Sequence, residues 1–104
     1  MQAEVKTDVP KELLLLREHI DQIDEELLSA LVRRFTVTAQ VGELKAQHDL
    51  ESVDPQRELE KHQRLQQMAQ TKGLDSKFVQ VLFQYIFDEV VKNHRNIRQA
   101  REKT

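Results

Sequence analysis

From Leu13 onward the apolar residues recur in steps of three and four: Leu13, Leu16, Ile20, Ile23, Leu27 and Ala30, then Arg34, then Val37, Val41, Leu44 and His48. This spacing keeps one stripe on one side of an α-helix. Sustained over five heptads, it is a coiled-coil seam rather than the face of a short globular helix. Thr7-Asp8-Val9-Pro10 can start this helix, with Asp or Thr as cap and proline in the first turn. The pattern breaks near Asp49. Ser52-Val53-Asp54-Pro55 then predicts a second helix, with Asp54 as N-cap and Pro55 as the first helical residue. Lys72-Gly73, basic then glycine, predicts its end. Asp75 caps a third helix, with Leu74 and Val79 at staple positions. That helix carries Phe78, Leu82, Tyr85, Ile86, Val90 and Ile97 at helical spacing before fraying into the charged stretch Arg98–Thr104. The expected architecture is all-α: a flexible segment over residues 1–9, a three-helix domain over 10–98 and a charged tail over 99–104.

The first helix is too long for its own domain. About 38 residues at ~1.5 Å per residue span ~57 Å, whereas a compact domain of about 100 residues is only ~35 Å across. An overhanging apolar seam needs a second chain to cover it. The expected protomer therefore has one very long N-terminal helix and forms an intertwined, two-fold homodimer. The alternative is a helix that breaks at Gly42 and folds back, although an isolated glycine weakens a helix by only ~1 kcal/mol.

Composition narrows the chemistry. With Gly 2 and Pro 2 in 104 residues, long regular elements are expected, and aromatics at 5% argue against a sandwich or barrel. Cys 0 removes disulfides, thiolate metal sites and cysteine nucleophiles. A net charge of −2 provides no global field toward nucleic acid or an anionic membrane, and the basic residues near the C-terminus read as a solvated tail. The longest purely apolar run, Leu13–Leu16, is too short for a span, and Met1 to Asp8 contain no apolar core of a signal peptide, so a cytoplasmic location is expected. His19, His48, His62 and His94 form no metal-binding pattern, and there is no glycine-rich phosphate loop.

Most charges fit solvated helix faces, including Glu25/Glu26 and Glu60/Lys61. Arg34 does not: it occupies a seam position, where a guanidinium is costly unless paired. Lys45, eleven residues on, shares its face ~16 Å away. Two cations on one face suit an anionic ligand, with Gly42 leaving room beside the backbone or allowing close helix packing. Arg17 is ~25 Å from Arg34 along the same helix. In an antiparallel dimer centred near Glu25–Glu26, however, Arg17 of one chain falls opposite Arg34 of the other, giving two identical sites built from both chains. The start of the second helix adds Asp54, Arg57 and Glu58, with outward-pointing N–H groups that favour anions. Three arginines, a lysine and a carboxylate suit a ligand with two carboxylates and a hydroxyl.

The segments Leu16-Arg17-Glu18-His19-Ile20-Asp21-Gln22-Ile23-Asp24, Leu27-Leu28, Arg33-Arg34, Val41-Gly42-Glu43-Leu44-Lys45 and Asp54-Pro55-Gln56-Arg57-Glu58 together resemble the all-helical chorismate mutase family. The resemblance covers roughly Leu13 to Arg98. It implies an intertwined dimer of three-helix protomers that converts chorismate to prephenate, in phenylalanine and tyrosine biosynthesis, by a Claisen rearrangement without cofactor or metal. It also implies roles: Arg34, Arg57 and the partner's Arg17 hold the two carboxylates, and Lys45 binds a carboxylate and the ether oxygen. Glu58 and the backbone near Asp54 take the ring hydroxyl, and a residue of the third helix is a second donor to the ether oxygen. There the sequence departs from the family pattern. Val90 stands where serine is familiar and cannot hydrogen-bond a carboxylate. His94 stands where glutamine or glutamate is familiar, and its imidazole can still donate; Asn93 is the alternative donor. Three further readings stay open: an isochorismate-pyruvate lyase with a similar cationic pocket, a non-catalytic helical dimer, and a regulatory mutase-like module activated by a partner enzyme.

Overall fold

The computed structural model describes residues 9–103. Thr7 and Asp8, named above as a helix start, lie outside the described residues, as does most of the segment expected to be flexible. Among the described residues the order is α1 (Lys11–Gln47), α2 (Pro55–Lys72) and α3 (Ser76–Glu102), with no strand, as the all-α reading requires.

α1 is a single helix of 37 residues. The Pro10 carbonyl accepts its first bonds, from the N–H groups of Leu13 at 3.1 Å and Leu14 at 3.3 Å. The helix passes through Gly42 without breaking. It ends in a Schellman turn: the Leu50 N–H donates to the Lys45 carbonyl at 2.7 Å and the Asp49 N–H to the Ala46 carbonyl at 3.2 Å. Asp49 adopts the left-handed conformation this turn requires, at φ 57°.

α2 begins and ends as its punctuation predicts. The Asp54 carboxylate accepts from the Arg57 N–H at 3.2 Å, and Pro55 opens the helix. Gly73, at φ 77°, closes it with the same pair of bonds, its own N–H to the Gln70 carbonyl and the Leu74 N–H to that of Ala69. Asp75 caps α3, accepting from the Lys77 N–H at 2.9 Å. α3 continues through the stretch expected to fray, as far as Glu102. An ion pair one turn apart, Arg98 Nε to Glu102 at 3.5 Å, lies within that last stretch.

The chain divides into two compact units, Met1–Arg34 and Phe35–Thr104. In the first, every residue of α1 from Lys11 to Ala30 is exposed, apolar ones included. The second holds α2, α3 and the C-terminal part of α1. Its core is built around Phe87, which is 4% exposed, with Ala69 and Val79 also buried. The His62 ring meets Phe87 edge-on at 5.3 Å, Phe83 lies 5.9 Å away, and the Lys61 ammonium sits over the Phe87 ring at 5.0 Å. α3 buries one apolar row and leaves another open. Phe78, Leu82 and Tyr85 are exposed, whereas Val79, Phe87 and His94 are buried. The helix carries apolar residues on two sides, and the packing within this unit covers only one.

Candidate functional site

The second unit holds the candidate residues Lys45, Asp54, Arg57, Glu58, Val90 and His94, and His94 is the centre of the observed contacts. It comes from the buried face of α3 and is only 5% exposed. Its ring lies against α1 at Gly42, where a Cβ would come within 2.6 Å of the imidazole Cδ2 and 3.0 Å of the Ile97 Cδ1. The space that Gly42 opens beside the backbone is therefore filled by His94 and Ile97. Of the two readings of this glycine, close helix packing is the one observed.

The ring nitrogens have different environments. Nε2 lies 2.8 Å from the Thr38 carbonyl. A carbonyl only accepts, so Nε2 carries the proton and donates. In the neutral ring Nδ1 is then an acceptor. It is shielded from solvent and has no hydrogen-bond partner among the described residues. Burial pushes the imidazole pKa below its ordinary value; the Thr38 carbonyl opposes this, and the charges of Lys45 and Lys61 reinforce it. Two cations thus act on one buried imidazole. Lys45, in the last turn of α1, is half-buried and makes no ion pair among the described residues.

The start of α2 is held as the cap predicts, and Asp54 serves it through its carboxylate. The Arg57 side chain is exposed and lies 4.0 Å from Glu60. Glu58 is half-buried and makes no ion pair among the described residues. It lines an open groove with Val53 and with Asp88, Val91, Lys92 and Arg95 of α3. Val90 is half-buried and its hydrocarbon side chain offers no hydrogen bond. Asn93, the alternative donor, is also half-buried.

The other two arginines belong to the first unit. Arg17 is exposed. Arg34 is half-buried; its Nη1 is shielded from water, and burial lowers the guanidinium pKa.

Lys61 is a residue that sequence reasoning placed on a solvated face. It is half-buried on an α2 stripe formed by Glu58, Lys61, His62, Leu65 and Ala69. That spacing was the available signal: Glu58 and Lys61 are three residues apart on the side that carries Ala69 inward.

Among the described residues no group of three or more histidine, aspartate or glutamate side chains could hold a metal ion, and no helix is long and apolar enough to cross a membrane. Known proteins contain a similar segment. The chain is 32% identical over 87 residues to the bifunctional chorismate mutase/prephenate dehydratase of Escherichia coli, covering 84% of this chain and 22% of that protein. It is 30% identical over 78 residues to the T-protein of Haemophilus influenzae, covering 75% of this chain and 21% of that one. It is 43% identical over 47 residues to the T-protein of Enterobacter agglomerans, covering 45% of this chain and 13% of that one. The chain thus spans a quarter or less of the length of the curated relatives it matches. Residues 16–95 match the family described as chorismate mutase type II, from just before Arg17 to just past His94. The chain belongs to the chorismate mutase type II family.

Proposed function

We propose that this chain is a chorismate mutase that works as a homodimer, rearranging chorismate to prephenate in phenylalanine and tyrosine biosynthesis. The observation that carries the reading is Lys45, a half-buried lysine without an ion pair among the described residues, in a chain whose family performs this reaction. An ammonium that no carboxylate occupies is available to an anionic ligand.

The rearrangement breaks one C–O bond and forms one C–C bond within a single molecule, so it needs neither nucleophile nor external proton. The protein's task is to fold the substrate and stabilise the charge that grows on the ether oxygen. Arg34, Arg57 and the partner's Arg17 hold the two carboxylates and remove the conformational search. Lys45 donates to a carboxylate and to the ether oxygen, an interaction that strengthens as the C–O bond stretches. Glu58 and the backbone by Asp54 accept the ring hydroxyl. Val90 supplies only a wall. The apolar seam of α1, exposed at Leu16 (56%), Ile20 (55%), Ile23 (53%) and Leu27 (60%), is the dimer surface.

His94 joins this scheme in its charged form alone. Its Nε2–H is engaged by Thr38, so only a protonated ring has an Nδ1–H to give, and that covered nitrogen meets the ether oxygen only where substrate binding opens its surroundings. Because the pKa of His94 is lowered, the donor form is scarce at neutral pH and grows as the medium becomes acidic. This same observation favours a second reading, a mutase that is weak alone and is activated by a partner enzyme.

The test is prephenate formation from chorismate by the purified chain, with isochorismate as the competing substrate. The dimeric reading adds a mixing experiment. R17A and R34A homodimers are each inactive, and a mixture of the two regains activity because one site of each mixed dimer lacks both mutations. Failure of the mixture to recover would refute the shared site. A purified chain that turns over chorismate only with another enzyme present would establish the second reading.

A further inference from the structure

We propose that Arg98 is a positioning residue, which fixes the turn ending α1, and with it Lys45 and the approach to α2, by bridging the Asp49 carboxylate and the Leu50 carbonyl. The inference rests on the mutase reading for its consequence in turnover, but not for the contact itself.

Two helices of this chain end in the same turn, with the same pair of backbone bonds. α2 uses Gly73 at the left-handed position, and α1 uses Asp49, at φ 77° and φ 57° respectively. Glycine enters that region freely, and aspartate is among the few residues with a Cβ that also enter it as single residues. At Asp49 the aspartate adds a carboxylate that glycine lacks. Here the Arg98 guanidinium donates through Nη2 to the Asp49 carboxylate and through Nη1 to the Leu50 carbonyl, the latter at 2.6 Å. Its Nε faces Glu102 at 3.5 Å, so a third acceptor orients the same planar group. Arg98 is itself mostly covered, with its side chain 29% exposed.

The bridged turn leads to the candidate site in both directions. Backward, the Leu50 N–H donates to the carbonyl of Lys45, the residue proposed to face the ether oxygen. Forward, four residues separate Leu50 from the Pro55 start of α2, with Asp54 as its cap. α3 also carries His94, one helical turn before Arg98. One guanidinium therefore ties the end of α1 and the linker to the helix that supplies His94. A fork with several donors can hold carbonyl and carboxylate together, whereas a single ammonium of lysine is a point donor.

The sharpest variant is Asp49→Gly, which removes the carboxylate and relieves the backbone. Thermal unfolding of D49G is expected to match or exceed wild type, while kcat falls about tenfold with KM little changed, as expected when a catalytic group is slightly misplaced. R98Q is expected to lose a similar factor, R98K to recover only part of it, and the double variant D49G/R98Q to lose no more than either single one. Amide hydrogen exchange reads the contact independently of activity: Asp49 and Leu50, whose N–H groups make the two bonds of the turn, exchange about tenfold faster in R98Q than in wild type, since local opening governs their protection. Unchanged kcat in D49G, or additive losses in the double variant, would overturn the positioning role. If the wild-type chain proves inactive toward chorismate both alone and with a partner enzyme, the mutase reading fails, and exchange alone decides the bridge. Equal protection in R98Q and wild type would then overturn it.

Discussion

The two units treat the same kind of apolar row in opposite ways. Leu13, Leu16, Ile20, Ile23 and Leu27 repeat with helical regularity, and all are exposed, four of them by more than half. Val79, Phe87 and His94 of α3 repeat with similar regularity, and all are 7% exposed or less. The difference is the neighbour. In the second unit, Lys61 and His62 of α2 and Gly42 of α1 supply surfaces for the buried row of α3. The periodicity of a row fixes a face; what covers that face depends on the rest of the assembly. α3 makes the point within one helix, where Phe78, Leu82 and Tyr85 form a second regular row that remains exposed.

If the exposed row of α1 is a dimer surface, placing charge on it has the largest effect. The double variant Leu16→Glu, Ile23→Glu is expected to halve the sedimenting mass and reduce mutase activity to background. A dimer of wild-type mass and rate would mean that the row is covered by something other than a second copy. Next in size is Lys45→Ala, for which kcat is expected to fall by two to three decades with the dimer intact, the usual loss for one donor to a developing oxyanion. Unchanged turnover would remove Lys45 from the chemistry.

The covered row gives a stability effect instead. Phe87→Ala removes the ring that His62, Phe83 and Lys61 surround and is expected to cost about 3 kcal/mol or more in chemical denaturation. A cost below about 1 kcal/mol would show that this packing contributes little to the fold. The smallest effect is the pH response of His94. Its folded pKa is below the unfolded value, so the unfolded chain binds the extra proton first. Stability is complete above the ordinary histidine range and declines as pH falls toward the folded pKa, below which no further loss arises from this group. Activity moves the other way, rising over the same interval as the donor form appears. His94→Gln, which provides a neutral donor, is expected to abolish both trends. An unaltered pH–rate profile in that variant would take His94 out of the reaction.

The residues that punctuate the helices were legible because their signals are local. Asp54 with Pro55, Gly73 and Asp75 stand where caps and turns require them, and the continuous α1 follows from a repeat that Gly42 alone is too weak to interrupt. What escaped depends on contacts between elements. Lys61 looked like surface because a charged residue on a helix is solvated by default, although it shares an inward stripe with Ala69. The proton on His94 Nε2 depends on a carbonyl fifty-six residues away in the chain. The reach of α3 to Glu102 and the attachment of Asp49 both pass through Arg98, which alone looks like any other basic residue of a polar tail.

The close approach at Gly42 constrains how this chain can vary. In most helices exchanging glycine for alanine is a gain, because the helix interior disfavours glycine by ~1 kcal/mol. Here a single methyl would meet the imidazole at 2.6 Å. Positions 42 and 94 are therefore coupled in one direction: a side chain at the first requires a slimmer or displaced neighbour at the second, whereas a slimmer residue at the second leaves the glycine free to stay.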